Sequence, residues 1–564
     1  MIDRLPRRIC LGVALALVAA TGAQGQPMPE PADLVVRGGP IYTADDRRPR
    51  VDAVAARDGV LIHVGDAAGL DGLIGAETEV IELDGAAAYP GFTDAHVHLL
   101  GIGQRELTLN LDDVQSVDAL VDRIDAAVQD QPAGETLFGR GWIETHWPEG
   151  RFPQAADLDP VSPDTPVVLI RADGHAAVVN SAALDAAGID AGTEAPSGGE
   201  ILRDASRQPT GMLIDTAMGL VADLMPANEG EGARTGLVKA GEVYTGRGWT
   251  GVHNMSVPYE RLDMIERLSD AGDLPLRVYN STTKDGAERL MAEGMRRSAN
   301  GRVITRAVKL YVDGALGSRG AKLMAPYADR PDSTGLFLNS REDVMPVMEQ
   351  ALRNGIQINV HAIGDYANHL LLDWYALAAL SVPRAERAVA EPRWRVEHAQ
   401  ILRPADIPRF GDQGVIASMQ PSHAIGDLHF APDRLGMDRL KGAYAWRSLV
   451  EAGALVIGGS DAPVEQGDPL IEFYAAVARK DLDGYQGPGW HPEEAVDRAT
   501  ALKMFTLWPA IGSFQEDSLG SLEPGKRADM TIFSANIMTV DEARIPQAQA
   551  LYTIIDGAVV YRRP

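Results

Sequence analysis

The stretch "YPGFTDAHVHL", residues 89–99, decides the fold. It begins with an apolar, turn-forming run and ends in two histidines, His96 and His98, that are one residue apart. Because successive side chains of a β-strand point to opposite faces, these two imidazoles project to the same side and can reach one point. The pattern indicates either a metal-binding strand end or a hydrogen-bonded histidine pair, and the rest of the chain decides between them.

Apolar strands alternate with helical stretches such as "REDVMPVMEQALRNG" through the middle of the chain. This rhythm is typical of a parallel sheet covered by helices, an α/β fold. The predicted strands are "YPGFTDAH", "GWTGVHNM", "PLRVYN", "AVKLYVDG", "IQINVHA", "RWRVEHA", "GVIASMQP" and "ALVIGGSDAP". Eight such strands predict a (β/α)8 TIM barrel over residues 89–515.

Two regions depart from this rhythm. Residues 100–235 are rich in Pro and Gly and carry their own strand, "PVVLIRAD", so we expect an insertion after the first barrel strand. Residues 32–88 and 516–564 contain short β-like pieces with Asp-Gly turns at residues 58–59 and 556–557. The two chain ends therefore predict one small β-sandwich domain.

The first 25 residues have the features of an export signal. Arg4, Arg7 and Arg8 precede "ICLGVALALVAATGA", and small residues follow up to Gly25. We expect export by the general or the twin-arginine route to the periplasm or the medium, with no membrane contact after cleavage. Cys10, the one cysteine in the sequence, lies in this segment, so the mature chain has no disulfide or thiolate ligand.

Composition excludes one class of partner. The chain is 45% hydrophobic and 23% charged, as ordinary globular proteins are, and its formal net charge is −27. A nucleic acid would be repelled by this excess of acidic groups. We expect a small-molecule substrate and no nucleic-acid partner.

The carboxyl ends of barrel strands usually carry the chemistry of such folds. The residues there are His96 and His98 on strand one, Lys309 on strand four, His361 on strand five, His398 on strand six and Asp461 on strand eight. Four imidazoles and a carboxylate suit zinc or a similar divalent ion. The lysine is either a distant salt-bridging residue or an N6-carboxylated, anionic ligand between two metals.

The motifs "PGFTDAHVHL", "VKLYVDGALGSRGA", "NVHAIGD", "EHAQ", "GGSDAPV" and "LEPGKRADMTIF" resemble the amidohydrolase superfamily, in the branch of YtcJ-like proteins and N-substituted formamide deformylases. The resemblance covers the mature chain. It implies a barrel flanked by a small β-sandwich and one or two divalent metals, with zinc expected. It implies as ligands His96, His98, Lys309, His361, His398 and Asp461. Relatives are commonly dimers, so a homodimer is expected by analogy.

Roles follow for two of these residues and for their neighbours. Asp461 is expected to carry a proton from the attacking water to the leaving nitrogen, and His423 in "MQPSHA" to polarise the substrate carbonyl. In the insertion, Asp173 and His175 of "RADGHAAVVN" are candidates for substrate contact, with structural hydrogen bonding as the alternative for His175.

Two further residues are candidates for substrate binding. Arg319 in "GALGSRGA" has a guanidinium suited either to a substrate carboxylate or to an acidic residue of the barrel rim. Trp142, like Trp147, is either a wall of an apolar pocket or part of the packing inside the insertion.

The sequence thus predicts an exported amidohydrolase that cleaves a C–N bond of an amide, N-formyl or N-acyl compound by metal-activated hydroxide. The same site would serve a lactone or ester hydrolase or a deaminase. A catalytically inactive binding or scaffold protein is the alternative of another class. Loss of ligand residues would mark such a scaffold, and every expected position is filled.

Overall fold

A computed structural model describes residues 30–129, 131, 135–225, 229–484 and 490–564. The predicted export signal and Cys10 lie outside these residues. None of the described helices is long and apolar enough to cross a membrane.

Strands occur in three groups along the described chain. Their bounds are β1 (Leu34–Tyr42), β2 (Arg50–Arg57), β3 (Val60–Gly65), β4 (Glu79–Glu82), β5 (Ala87–Pro90), β6 (Phe92–Val97), β7 (Leu109–Asn110), β8 (Leu137–Trp142), β9 (Val167–Arg171), β10 (Ala176–Val179), β11 (Gly199–Arg203), β12 (Pro209–Asp215), β13 (Trp249–Val257), β14 (Arg277–Thr282), β15 (Arg296–Arg297), β16 (Val303–Tyr311), β17 (Gln357–Ala362), β18 (Arg395–His398), β19 (Ile416–Met419), β20 (Val456–Gly458), β21 (Met530–Phe533), β22 (Ala550–Ile555) and β23 (Ala558–Arg562).

Helices fall mainly between the strands of the middle group. Their bounds are α1 (Leu99–Leu107), α2 (Val117–Val128), α3 (Ala155–Leu158), α4 (Ser181–Ala186), α5 (Gly230–Arg247), α6 (Leu262–Ala271), α7 (Ala287–Glu293), α8 (Arg341–Asn354), α9 (Asp365–Ser381), α10 (Ile407–Gln413), α11 (Pro421–Asp427), α12 (Ala431–Leu435), α13 (Trp446–Glu451), α14 (Pro469–Ala478), α15 (Arg498–Phe505) and α16 (Leu507–Gly512).

The eight predicted barrel strands are confirmed. They pair in parallel in the order β6, β13, β14, β16, β17, β18, β19, β20. The last strand returns to the first, because the Asp461 amide donates to the His96 carbonyl at 2.7 Å. The buried Asp94 carboxylate also accepts from the Ser460 amide at 2.8 Å. This closure brings the ends of strands one and eight together.

Local sequence signals set the barrel helices. Helix α8 begins at a capping box, in which Ser340 and Asp343 each accept from the other's backbone amide, and it ends at Gly355 in the left-handed conformation, φ 68°. Strand β17, which follows, is buried at every residue. Burial on both faces explains its continuous apolar character.

The insertion forms a second sheet, in the order β11, β12, β10, β9, β8, β7. Helices α1 and α5 flank it in sequence and pack against each other on the barrel. They approach so closely that a Cβ on Gly103 would lie 1.7 Å from the Gly236 carbonyl oxygen. The insertion therefore rises from between two adjacent barrel helices.

Both chain ends contribute to one eight-stranded sheet, in the order β23, β22, β21, β5, β1, β2, β3, with β4 paired to β1. Its Asp-Gly turns have positive φ at both residues, 51° and 75° at residues 58–59 and 52° and 72° at residues 556–557, as predicted. Leu34 and Val36 share one apolar core with Met530 and Ile532. The domain limits at 32–88, 516–564 and 89–515 stay predictions.

Candidate active site

The predicted site residues at the ends of the barrel strands form one cluster of side chains. His96 belongs to this cluster and is completely buried. Its Nδ1 is 2.5 Å from Glu397 Oε2. When Nδ1–H donates to this carboxylate, the tautomer is fixed and Nε2 keeps its lone pair. That Nε2 lies 3.4 Å from Asp461 Oδ1. His96 is therefore arranged as a metal-binding histidine with a carboxylate behind it.

Asp461 is the residue that the histidines share. It follows β20 with φ 61°, a left-handed conformation that costs free energy for any residue with a Cβ. Its Oδ1 is also 3.4 Å from His98 Nε2, and its Oδ2 is 3.7 Å from His423 Nε2. Oδ1 is buried and has no hydrogen-bond partner among the described residues. Such an oxygen is costly unless a cation or a proton donor occupies the space in front of it.

Two groups of three side chains each bring ligand atoms within 4.8 Å of one another. His96, His98 and Asp461 form the first, and His398, His423 and Asp461 form the second. Imidazole nitrogen and carboxylate oxygen are donors that zinc and similar divalent ions accept. With the unpartnered Oδ1 of Asp461 between them, the residues of the first group fit a divalent ion.

Hydrogen bonds distinguish the two histidines of the second group. His398 Nδ1 lies 2.8 Å from Gln420 Oε1, so Nδ1–H donates to it and Nε2 keeps a lone pair for a metal. His423 Nδ1 lies 2.8 Å from Gln400 Nε2, whose N–H donates to it. Neutral His423 then carries its proton on Nε2, the form that donates to an oxygen instead of binding a metal.

Burial lowers the pKa of three imidazoles of the cluster. Burial, followed by the neighbouring Lys309 charge, lowers the pKa of His96 to about 4. Burial also lowers the pKa of His361 and of His398 well below the usual value. Neutral imidazole is the form that binds metal, so protons do not compete with a metal at neutral pH.

Lys309, on β16, is buried beside the first group. Its Nζ lies 3.5 Å from His96 Nε2 and 4.8 Å from the centre of the Tyr311 ring. The structure thus places it in the cluster and not at a distant salt bridge. Burial lowers the pKa of Lys309 to about 8. More of the Lys309 amine is therefore neutral than in an exposed lysine. A neutral amine is not repelled by a nearby cation, and it is the form that reacts with carbon dioxide.

A cavity of about 310 Å³ covers the cluster. The predicted site residues that line it are His98, Asp173, His175, Lys309, His361, His398, His423 and Asp461. His361 is brought to the cluster, with its ring centre 4.5 Å from that of His398, although its Nε2 faces the Gly314 carbonyl at 3.4 Å.

Asp173 and His175 belong to the insertion and line the cavity. The Asp173 carboxylate accepts from Arg171 and from the His175 amide, the latter at 3.0 Å. His175 Nδ1 lies 2.8 Å from Asp215 Oδ1, and although burial alone would lower the pKa of His175, this hydrogen bond raises it. His175 therefore has the structural hydrogen bond and also faces the cavity.

Two predicted substrate contacts are not in this cavity. The prediction of Trp142 as a pocket wall is wrong. Trp142 is fully buried, donates to the Leu169 carbonyl at 3.0 Å, and packs on Trp147 in the core of the insertion. A large aromatic ring buried inside a small domain contributes to the hydrophobic core of that domain. Arg319 lines a neighbouring cavity and binds Asp329 on the rim at 2.8 Å, the acidic partner that the sequence left open.

Several polar residues that contact the cluster were not predicted from the sequence. Glu397 and Arg395 are completely buried and bind each other at 2.7 Å, and Gln400 and Gln420 orient His423 and His398. A signal was present, because charged residues two apart in the apolar strand "RWRVEHA" need buried partners. Alternation would put Glu397 and His398 on opposite faces, but His398 has φ 76°, which turns its side chain into the same cluster.

A known protein family matches most of the chain. The family model described as "Amidohydrolase family" matches residues 79–561. The chain belongs to the amidohydrolase family.

Similar amidohydrolase sequences extend over nearly the whole chain. It is 33% identical to the putative amidohydrolase YtcJ of Bacillus subtilis, covering 93% of this chain and 99% of that protein. It is 28% identical to the N-substituted formamide deformylase of Arthrobacter pascens, covering 95% and 99%. The crystal structure of an uncharacterized metal-dependent hydrolase from Pyrococcus horikoshii superposes with a TM-score of 0.73 at 26% identity, covering 90% and 99%. The chain is thus an amidohydrolase by family, and its fold is similar to that of a metal-dependent hydrolase.

Proposed function

We propose that this amidohydrolase cleaves the C–N bond of a small-molecule amide, with N-formyl and N-acyl amides as the first class to test. One observation carries the proposal. The buried Asp461 carboxylate lies between histidines, with an unpartnered oxygen, beside a cavity of about 310 Å³. The printed name of the Arthrobacter pascens relative supports the N-formyl choice.

Zinc is the proposed metal, held by His96, His98 and Asp461. The mixed nitrogen and oxygen donors support this choice. When bound, such an ion lowers the pKa of water and withdraws electron density from a carbonyl oxygen.

Two side chains, Asp461 and His423, handle the proton transfer and hydrogen bonding of the reaction. Asp461 accepts a proton from the attacking water and delivers it to the amide nitrogen as the C–N bond breaks, so that a neutral amine leaves and a carboxylic acid remains. His423 Nε2–H, 3.7 Å from Asp461 Oδ2, donates to the substrate carbonyl oxygen as it gains negative charge.

Lys309 is proposed to carry an N6-carboxylate that helps to hold a second metal with His361 and His398. Its burial, its lowered pKa of about 8 and its distance of 3.5 Å from His96 Nε2 support this role. Elemental analysis of protein purified in bicarbonate should then give about two metals per chain, against about one after bicarbonate is withheld.

Export is proposed from residues 1–25 alone. Their arginines and apolar run support a periplasmic or secreted protein. A substrate that reaches the cell envelope agrees with this location.

The role of Asp461 can be tested by substitution. Asp461→Asn should keep the fold and lower kcat for amide hydrolysis by about 10²–10⁴-fold, because an amide cannot take up the proton. Release of formate from N-formyl amides by the metal-loaded protein measures this.

Asp433→Asn, an exposed substitution on α12, is the matched control and should keep wild-type activity. Near-wild-type kcat in Asp461→Asn would refute the proton transfer. Absence of hydrolysis of any amide by the metal-loaded wild type would refute the proposed function.

A further inference from the structure

A second cavity of about 260 Å³ adjoins the cavity of the candidate site. Arg171, Asp173, His175 and Gly317 line both cavities. The second cavity lies between the insertion and the segments that follow barrel strands β16 and β19. A substrate that places its amide at Asp461 could therefore extend past this shared wall.

The barrel side of the second cavity is rich in guanidinium groups. Arg319 binds the Asp329 carboxylate at 3.2 and 2.8 Å, and Arg434 binds the same carboxylate. One carboxylate thus serves two guanidiniums. Burial and the neighbouring Arg319 lower the pKa of Arg434, as expected where positive charge is in excess. Arg330, on the same side, is more than half exposed, and its Nε lies 3.8 Å from Oδ1 of the exposed Asp332.

Most acidic groups that line this cavity are already bound. Glu144 accepts from Arg171 at 2.8 and 3.2 Å, and Asp173 accepts from the same guanidinium. Glu200 is exposed on β11, on the opposite, insertion side. An anionic group would therefore be attracted to the barrel side.

The insertion also contributes apolar side chains to the lining, beside the charged groups already named. These are Phe152, Ala176, Leu202 and Ile214. A ligand that fits both sides has an apolar body along these residues and an anionic end near Arg319 and Arg434.

Resting on the proposed function, we propose that the second cavity binds the distal arm of the substrate, and that this arm is an apolar chain ending in a carboxylate or similar anion. The substrate class is then an amide with an ω-anionic alkyl or aryl arm. Arg319 is a specificity-determining residue that contacts the anionic end.

The test compares three N-formyl amides of matched length: 6-formamidohexanoate, N-hexylformamide and N-(6-aminohexyl)formamide. Formate release by the metal-loaded protein should give a kcat/KM about tenfold higher for the carboxylate than for the neutral amide, chiefly through KM. Arg319→Gln should remove this preference, and Arg319→Lys should keep part of it because the charge remains. Arg434 still pairs with Asp329 in both variants, so folding should be retained.

Arg447→Gln, which breaks an exposed pair with Glu451 on α13, is the matched control and should keep the full preference. Equal or better use of the neutral or ammonium amide by the wild type would overturn the inference and leave the proposed function standing. If no amide releases formate, the proposed function fails. Calorimetry of 6-formamidohexanoate against N-hexylformamide then decides the inference, which requires tighter binding of the carboxylate and its loss in Arg319→Gln.

Discussion

Glu397 shows how one buried charge can tune the site. It accepts from His96 Nδ1 at 2.5 Å and from Arg395 at 3.0 Å, with no exposure to solvent. Glu397→Gln should weaken zinc affinity by about 10–100-fold, because a neutral amide polarises the imidazole less. Competition with a chromophoric chelator measures the affinity. Glu494→Gln, a buried carboxylate bound to Ser448 instead, should bind zinc like the wild type. Equal affinity in all three proteins would contradict this role.

At the scale of elements, Asp556 joins the terminal sheet to barrel strand β14 through Arg277 at 2.6 Å. Burial alone would raise the pKa of Asp556, but Arg277 lowers it below the ordinary value of an aspartate. The ion pair therefore stabilises the fold above the ordinary pKa and stops doing so as pH falls through the lowered one. Asp556→Asn should lower the free energy of unfolding by about 2–4 kcal/mol at pH 7.

This difference should stay constant down to about pH 5 and shrink below about pH 4, since both proteins then carry a neutral side chain. Urea denaturation at several pH values measures it. Asp541→Asn, an exposed substitution between β21 and β22, should change stability little at any pH. A difference that grew toward acid pH would contradict the assignment.

At the scale of the whole molecule, a metal would join the first and last barrel strands, because His96 lies on β6 and Asp461 follows β20. An ion that binds only the folded state stabilises it by about 2.7 kcal/mol at a concentration 100 times its Kd. Removal by a chelator should lower the melting temperature by about 2–4 °C for a chain of this size. Asp461→Ala should melt alike with and without chelator, and a chelator effect of equal size in that variant would place the metal elsewhere.

The sequence by itself determined the barrel and most of the cluster of side chains at the strand ends. Eight apolar strands each ended in a polar residue, and the carboxyl ends of parallel strands meet on one face, so His96, His98, Lys309 and Asp461 could be placed together from spacing alone. The Asp-Gly turns of the terminal sheet were readable for a similar reason, since positive φ at two successive residues is a local requirement.

Only the tertiary structure decided which side chains support that cluster and which merely pack. The positive φ of His398 and Asp461 turns their side chains away from strand alternation, and this depends on closure of the barrel. Glu397 became the partner of His96 across 301 positions of sequence. Trp142 lies in the core of the insertion, and Arg319 lines a second cavity. Both positions depend on how the insertion packs over the barrel, which no local sequence pattern encodes.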